Sequence, residues 1–419
     1  MKYKVLNRYS LYQIDSFENL EISSEIILFR KHVIDKTMIN VIYPEKKVAI
    51  VYNYIAHYRI PIFNILSSCE INSYTIIAGT ETDISLKTAD PILSEIDIRK
   101  GGIRWIRIKN IWIFKVFLWQ KGLLKHCRSN NFDSIIFLGN MYYLSTWIAA
   151  WIAKRRGKKV IFWTHGFIRQ ENNLKGFIRI SFYKLADEIL TYGQRAKDIL
   201  ISKGIEEDKI RLIYNSLDFF NQKKIIDKVT PVYPEKLFKY ELYPTFGFIG
   251  RITKQKRIDI LIDVLELLHS NDIKANLLII GDGELKSELQ QRVNSKKLSE
   301  YVCFFGACYD ETIIYQLLKS LKVIVSPGEV GLTAIHGMTY GIPIITHNRF
   351  DKQMPEFECI RPGLTGDFFD YNNPVISLSQ LLSKWLQIKD QNRIENECKK
   401  IIDQYYNPLI QKEIFNSVV

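Results

Sequence analysis

No CxxC pair occurs among the six cysteines of this 419-residue sequence, which stand at positions 69, 127, 303, 308, 359 and 398. Cys303 and Cys308 have no nearby histidine to complete a metal set. The spacings give no metal site and predict reduced, mostly buried thiols in a reducing compartment. Long apolar runs are missing too. No stretch reaches 18 apolar residues, so no membrane-spanning helix is expected. The opening MKYKVLNRYSLYQID has no apolar core, so it is not expected to act as a secretory signal. Short-period repeats and low-complexity tracts are also absent. The most local absence is of acid. From Ile98 to Phe132 there is no Asp or Glu, against nine Lys or Arg, with Trp105, Trp112, Phe114, Phe117 and Trp119 among them.

What is present describes a globular chain. Apolar residues make up 47% and charged residues 25%, enough for packed cores, and the length suggests two or three domains. The 58 Lys and Arg exceed the 45 Asp and Glu, giving a net charge of +13 that favours anionic partners. On charge alone, nucleic acid, membrane lipid and nucleotides are all open. No helix-turn-helix, zinc pattern or RNA-binding signature supports the first. A basic helix carrying aromatics over 98–132 would suit a membrane surface, and the run Lys154-Arg155-Arg156-Gly157-Lys158-Lys159 either adds to it or finishes a helix.

Apolar strand-like runs recur from Lys47 onward, at 48–52, 74–78, 135–138, 160–163, 188–190 and 210–214, with helical stretches between several of them. Pro61 suits the first turn of a helix over 60–66. The segment 219–244 breaks this rhythm with Pro231, Pro234 and Pro244 and is read as an interdomain connection. A second series follows at 246–249, 276–280, 302–305, 323–326 and 343–346, and then a helical tail. Alternating strand and helix predicts an α/β chain of two Rossmann-like, doubly wound domains facing across a cleft. The expected divisions are an N-terminal extension over 1–46, a first domain over 47–230, a second over 240–375 and C-terminal helices over 376–419.

Three loops at the strand ends of the second series carry candidate chemistry. In the first, a strand ends at Gly250 and is followed by Arg251 and Lys256, two cations at a strand-to-helix mouth, a pairing that suits a diphosphate. The second is Gly281-Asp282-Gly283-Glu284, whose glycines permit a tight turn and close approach of a ring. The third runs Ser326-Pro327-Gly328-Glu329-Val330-Gly331-Leu332-Thr333-Ala334-Ile335-His336. A helix starting near Leu332 would aim the free N–H groups of Gly331, Leu332 and Thr333 at an anion, with His336 one turn in. Beyond it, Glu356-Phe357-Glu358 precedes a turn into a short strand.

The order of these pieces resembles the retaining glycosyltransferases of family 4, which have the GT-B fold. The resemblance covers most of the chain from about residue 47 and is strongest over 246–370. GRITKQK is similar to the family's Gly-Arg loop, IIGDGE to its base-side turn and PGEVGLTAIHGMTYGIPIIT to its nucleotide-sugar helix. The resemblance implies that Arg251 and Lys256 neutralise the donor diphosphate. It also implies that Gly250, Gly281, Gly283, Glu329, Gly331, Leu332, Thr333, His336 and Glu358 contact the donor. One departure stands out. The family's paired glutamates, eight positions apart, fall on Gly328 and His336, and Glu329 lies one residue off the first. Imidazole can hydrogen-bond a ribose hydroxyl, though with fewer acceptor sites than carboxylate.

In the first series, Tyr52-Asn53-Tyr54-Ile55-Ala56-His57-Tyr58-Arg59-Ile60-Pro61 resembles the family's opening acceptor-side loop, which would turn His57 and Arg59 to the cleft. Trp163-Thr164-His165-Gly166 resembles the segment that sets a histidine beside the donor sugar. The implied activity is metal-independent, hexosyltransferase-type transfer from a nucleotide sugar, with retention, to a glycan or lipid-linked acceptor. The catalytic group would be His165, Arg251 and Lys256. No cofactor beyond the nucleotide-sugar substrate is expected. The expected setting is bacterial surface-polysaccharide or lipopolysaccharide synthesis in the cytoplasm, with an anionic membrane's inner face as a candidate partner and no nucleic acid. A nucleotide-sugar epimerase of the same fold and a non-catalytic nucleotide-sugar or glycan-binding protein are the alternatives.

Overall fold

Strands buried on both faces need uninterrupted apolar runs, and these strands have them: Val48–Tyr52 and Asn276–Ile280 are wholly buried. The computed structural model describes residues 45–81, 87–231 and 237–419. The expected extension over 1–46 and Pro234 of the connection therefore lie almost wholly outside the described residues. The first half comprises β1 (Lys47–Tyr54), α1 (Ile60–Ser67), β2 (Ser73–Gly79), β3 (Trp105–Arg107), β4 (Lys109–Ile113), β5 (Phe117–Lys121), α2 (Leu123–Arg128), β6 (Ser134–Leu138), α3 (Leu144–Arg155), β7 (Lys159–Thr164), α4 (Leu174–Tyr183), β8 (Glu188–Thr191), α5 (Gln194–Ser202) and β9 (Ile210–Leu212). Seven of its strands form a parallel sheet in the order β3-β2-β1-β6-β7-β8-β9.

The second half comprises α6 (Phe219–Lys228), β10 (Thr245–Ile249), α7 (Asp259–Ser270), β11 (Asn276–Ile280), α8 (Lys286–Ser295), β12 (Val302–Gly306), α9 (Glu311–Lys319), β13 (Val323–Ser326), α10 (Leu332–Thr339), β14 (Ile344–His347), β15 (Gly366–Phe369), α11 (Pro374–Trp385), α12 (Gln391–Tyr405) and α13 (Pro408–Val418). Its six strands are parallel, in the order β12-β11-β10-β13-β14-β15. In each sheet the first strand lies inside, with neighbours from opposite directions of winding. The carboxyl ends of β1 and β10 are thus the switch points where a doubly wound sheet opens a crevice. This is the GT-B architecture, two Rossmann-like sheets each with helices on both faces.

Three departures from the sequence reading have clear physical causes. The basic aromatic stretch is a strand and an antiparallel hairpin followed by a short helix, with Ile111 paired to Trp119 and Trp112 to Leu118. It is not one basic helix. Part of the presumed connection is α6, whose Gln222 is buried and donates to Glu311 at 3.2 Å. The C-terminal helices do not act together. α11 and α12 bury Leu378, Trp385 and Cys398 in the core of the second half, whereas α13 returns to the first. Phe415 packs 5.0 Å from Trp163, and the Asn416 side-chain oxygen accepts from Tyr74 Oη at 2.8 Å and Asn72 Nδ2 at 3.0 Å.

Candidate active site

The mouth of the second sheet is built by glycines that let loops cross at backbone contact. Gly281 sits at φ 148°, and a side chain there would place Cβ 1.9 Å from the Gly250 carbonyl oxygen. A Cβ at Gly283 would meet the Ile252 carbonyl oxygen at 2.3 Å. The β13–α10 loop docks on the same region, with Gly328 N donating to Lys256 O at 3.1 Å. A Cβ at Gly328 would lie 2.1 Å from the Gln255 carbonyl oxygen. This explains the missing first glutamate: with this backbone, no side chain fits at 328.

The carboxylate is present one residue later. Lys256 Nζ donates to the Glu329 carbonyl at 2.9 Å and lies 3.7 Å from its carboxylate. Burial pushes the Lys256 ammonium below its ordinary range; Glu329 opposes this and Arg251 adds to it. Arg251 itself is exposed. Gly331 caps α10, and no protein acceptor takes the N–H of Gly331, Leu332 or Thr333 among the described residues. The loop is held from behind by Gln353, whose Oε1 accepts from Val330 N at 2.7 Å. A cation and three free amides at a helix start form a site that favours anions.

His336 is not free. Its Nε2 is 2.7 Å from Glu311 Oε1 on α9, which also accepts from Tyr340 Oη at 2.7 Å. Burial opposes the Glu311 charge, but His336, Tyr340 and Gln222 outweigh it and hold this carboxyl down at about 2. Sequence reasoning missed Glu311, which reads only as a first-turn acid beside the cap Asp310. His336 and Glu311 share a cavity of about 490 Å³ with His57 and Tyr58 of the first half. His57 is exposed and faces that cavity.

In the first half, a cavity of about 580 Å³ opens at the carboxyl ends of β1, β6, β7 and β8, lined by Tyr52, Asn140, Thr164, His165 and Arg179 among others. His165 lies at its edge, its ring 4.5 Å from that of Tyr192 and its Nδ1 buried without a partner. Burial, then Arg59, push its pKa down to about 4, so the imidazole is neutral at physiological pH. Gly166 follows at φ 60°, the left-handed bend that lets the chain leave the strand there.

Two residues take partners other than those the sequence leads one to expect. Arg59 is buried; its guanidinium donates to Asn215 Oδ1 at 2.8 Å and Tyr192 Oη at 2.7 Å and lies 4.8 Å above Trp163. Held this way, it forms part of the wall of the first-half cavity. Glu358 accepts from the backbone N–H groups of Gln194 and Arg195, capping α5 of the first half. Its neighbour Glu356, fully buried and pushed up by that burial, accepts from Asn215 Nδ2 at 2.7 Å. These two acids thus tie the halves together.

The comparisons with known proteins agree with this fold. Residues 229–403 match the family model described as "Glycosyl transferases group 1", and residues 82–219 match "Glycosyltransferase Family 4". An uncharacterized 41.2 kDa protein in the cps region of Klebsiella pneumoniae is 23% identical over 311 residues, covering 71% of this chain and 80% of that protein. Among solved structures, the apo lipopolysaccharide outer core galactosyltransferase WaaB superposes with a TM-score of 0.64 at 18% identity, covering 89% of this chain and 99% of the other. Anabaena HepE in complex with UDP and glucose gives 0.60 at 15% identity, with the same coverage. At these identities the structural likeness speaks for the fold.

The fold is GT-B, and the family models place the chain among enzymes of the transferase class. The chain belongs to the glycosyltransferases of the family 4 type. Its activity is glycosyl transfer from a nucleotide-sugar donor, and the comparisons favour neither the epimerase nor the non-catalytic alternative.

Proposed function

We propose that this enzyme transfers a sugar, with retention of anomeric configuration and without a metal, to a glycan or lipid-linked acceptor in bacterial surface-polysaccharide assembly. The observation that carries the proposal is the anion site at the start of α10, where the Lys256 ammonium, held at Glu329, adjoins the open amides of Gly331, Leu332 and Thr333. In this reading the diphosphate docks there, with Arg251 at the rim. As the bond to the sugar breaks, charge grows on the departing phosphate, and these fixed donors stabilise it without rearranging. The charge of an arriving anion opposes the desolvation that lowers the proton affinity of Lys256.

The acceptor hydroxyl enters through the cavity of the first half and attacks from the leaving-group face. The neutral His165, at the edge of that cavity, contacts the donor sugar. His336, oriented by Glu311, holds the ribose, and the two loops crossing at Gly250 and Gly281 form the floor beneath the base. The klebsiella relative's place in a cps region and the galactosyltransferase likeness support the polysaccharide setting. Calorimetry with uridine, guanosine and adenosine diphosphates tests the anion site. Saturable heat with one of them is expected, and its absence with all three overturns the assignment. Anomeric protons of the product, read by NMR, then decide retention.

A further inference from the structure

One flank of the first half exposes apolar side chains that the transfer reaction does not use. Its tip is the β4–β5 hairpin, where Phe114 and Lys115 turn the chain at φ 52° and 55°. Residues with side chains adopt this left-handed conformation at a cost, and nothing in the fold repays it by packing, since Phe114 is 87% exposed. On α3, Leu144, Ile148 and Trp151 fall at spacings of four and three and so share one helical face, which is exposed. That face continues to Arg155, whose guanidinium lies 5.0 Å over the Trp151 ring. On α4, Leu174 and Phe177 are 74% and 71% exposed.

These pieces are contiguous. Tyr142, just before α3, packs 6.0 Å from Phe117 of the hairpin and lies under the Lys175 ammonium of α4 at 5.9 Å. Trp147 of α3 packs 4.9 Å from Phe182 of α4. The buried sides of both helices enter one core on the same face of the sheet, so their outer sides face the same way. The charge of the flank has one sign. From Ile98 to Gln170 there are 15 Lys or Arg, and Asp133 is the only acid. Acids that border the run are engaged: Glu95 lies 3.6 Å from Arg107, Glu171 pairs with Arg179 at 3.0 Å and Asp187 with Lys154 at 2.9 Å.

We propose that this flank docks on an anionic lipid bilayer. Phe114, Trp151, Leu174 and Phe177 enter the interface, and Lys115, Arg155 and Arg156 meet the lipid phosphates. Aliphatic and aromatic side chains interleaved with cations are the pattern of interfacial binding. A second copy of this chain fits poorly, because a two-fold contact would set like charges against each other. Nucleic acid offers the phosphates but nothing to bury aliphatic side chains. The proposal stands apart from the donor reading, since neither the hairpin nor the outer faces of α3 and α4 belong to the nucleotide crevice.

The test is flotation of the full chain with vesicles of phosphatidylcholine alone and of phosphatidylcholine mixed with phosphatidylglycerol. The chain should float with the mixed vesicles, and about tenfold or more less with the neutral ones. Phe114→Ser with Phe177→Ser, and separately Arg155→Glu with Arg156→Glu, should each cut binding by a similar factor while leaving the thermal midpoint unchanged. No flotation of the native chain with anionic vesicles overturns the proposal, as does undiminished binding by both variants. So does a native dimer, seen by light scattering, that Phe114→Ser with Phe177→Ser dissolves, since that makes a second copy the occupant. Vesicle binding without any nucleotide binding would sink the donor reading and leave this one standing.

Discussion

Lys256 and Glu329 face each other at the mouth of the second sheet, the ammonium bonded to the Glu329 carbonyl at 2.9 Å and 3.7 Å from its carboxylate. An incoming diphosphate competes with that carboxylate for the same cation. Glu329→Gln keeps the backbone contact and removes the competing charge. Nucleotide diphosphate should therefore bind at least as tightly by calorimetry, while transfer falls if the carboxylate contacts the sugar. Lys256→Ala and Arg251→Ala should each slow transfer about a hundredfold, roughly 3 kcal/mol of lost charge stabilisation. Native-like rates in both would remove the anion site from the mechanism.

Gly328 gives a counterintuitive prediction. Restoring the family's glutamate there should harm the enzyme, because its Cβ would collide with the Gln255 carbonyl oxygen at 2.1 Å. Gly328→Glu and even Gly328→Ala should cost about 2 kcal/mol or more in denaturant titrations, and nucleotide binding should weaken as the loop lifts off Lys256. A more active Gly328→Glu enzyme would refute this account of the loop.

Acid should destabilise the fold in two windows. His165 and His347 are both pushed down to about 4, each by burial first and by a neighbouring arginine second, from an ordinary value of 6.5. Between those values the unfolded chain binds a proton that the folded chain refuses, so stability rises with pH and is lost as pH falls from 6.5 towards 4. Each histidine contributes up to about 3 kcal/mol. His165→Gln should flatten the stability–pH curve in this window, and an unchanged slope would count against burial of the ring.

Glu311 acts lower on the scale. Its carboxyl falls from an ordinary 4.5 to about 2, so its stabilising contribution is complete above 4.5 and disappears as pH drops to 2. The amount is about 3 kcal/mol. Glu311→Gln should remove that acid-sensitive component and weaken nucleotide binding through the loosened His336. Retention of both in the variant would show that His336 needs no such support.

Glu358→Gln tests the tie between the halves. Loss of the charged cap on α5 should cost about 1 kcal/mol in thermal unfolding. Small-angle scattering should show a more open average shape. No change in either would mean that Glu356 and α13 suffice.

The alternating architecture was legible because parallel strands buried on both faces leave continuous apolar runs, and Gly250 and Gly281 mark the loop crossings by residue type. The hairpin over 109–121 was not. Its turn uses Phe114 and Lys115 at positive φ, where such hairpins usually carry Asn and Gly, so the sequence offers no turn signal. The partners of Arg59, Glu358 and His336 were hidden for another reason. Each is set by contacts with residues 156, 163 and 25 positions away, which local pattern does not encode.

The return of α13 has a consequence for biosynthesis. Phe415 and Val418 complete the core over one face of the first sheet, against side chains as early as Val48. While the nascent chain emerges, α1 covers only part of that face, and the part that Phe415 and Val418 fill stays open until residues 408–418 have been made. The first half therefore lacks part of its core until the second has been synthesised. A premature stop near residue 405 would damage the cavity wall around Trp163, more than two hundred residues upstream.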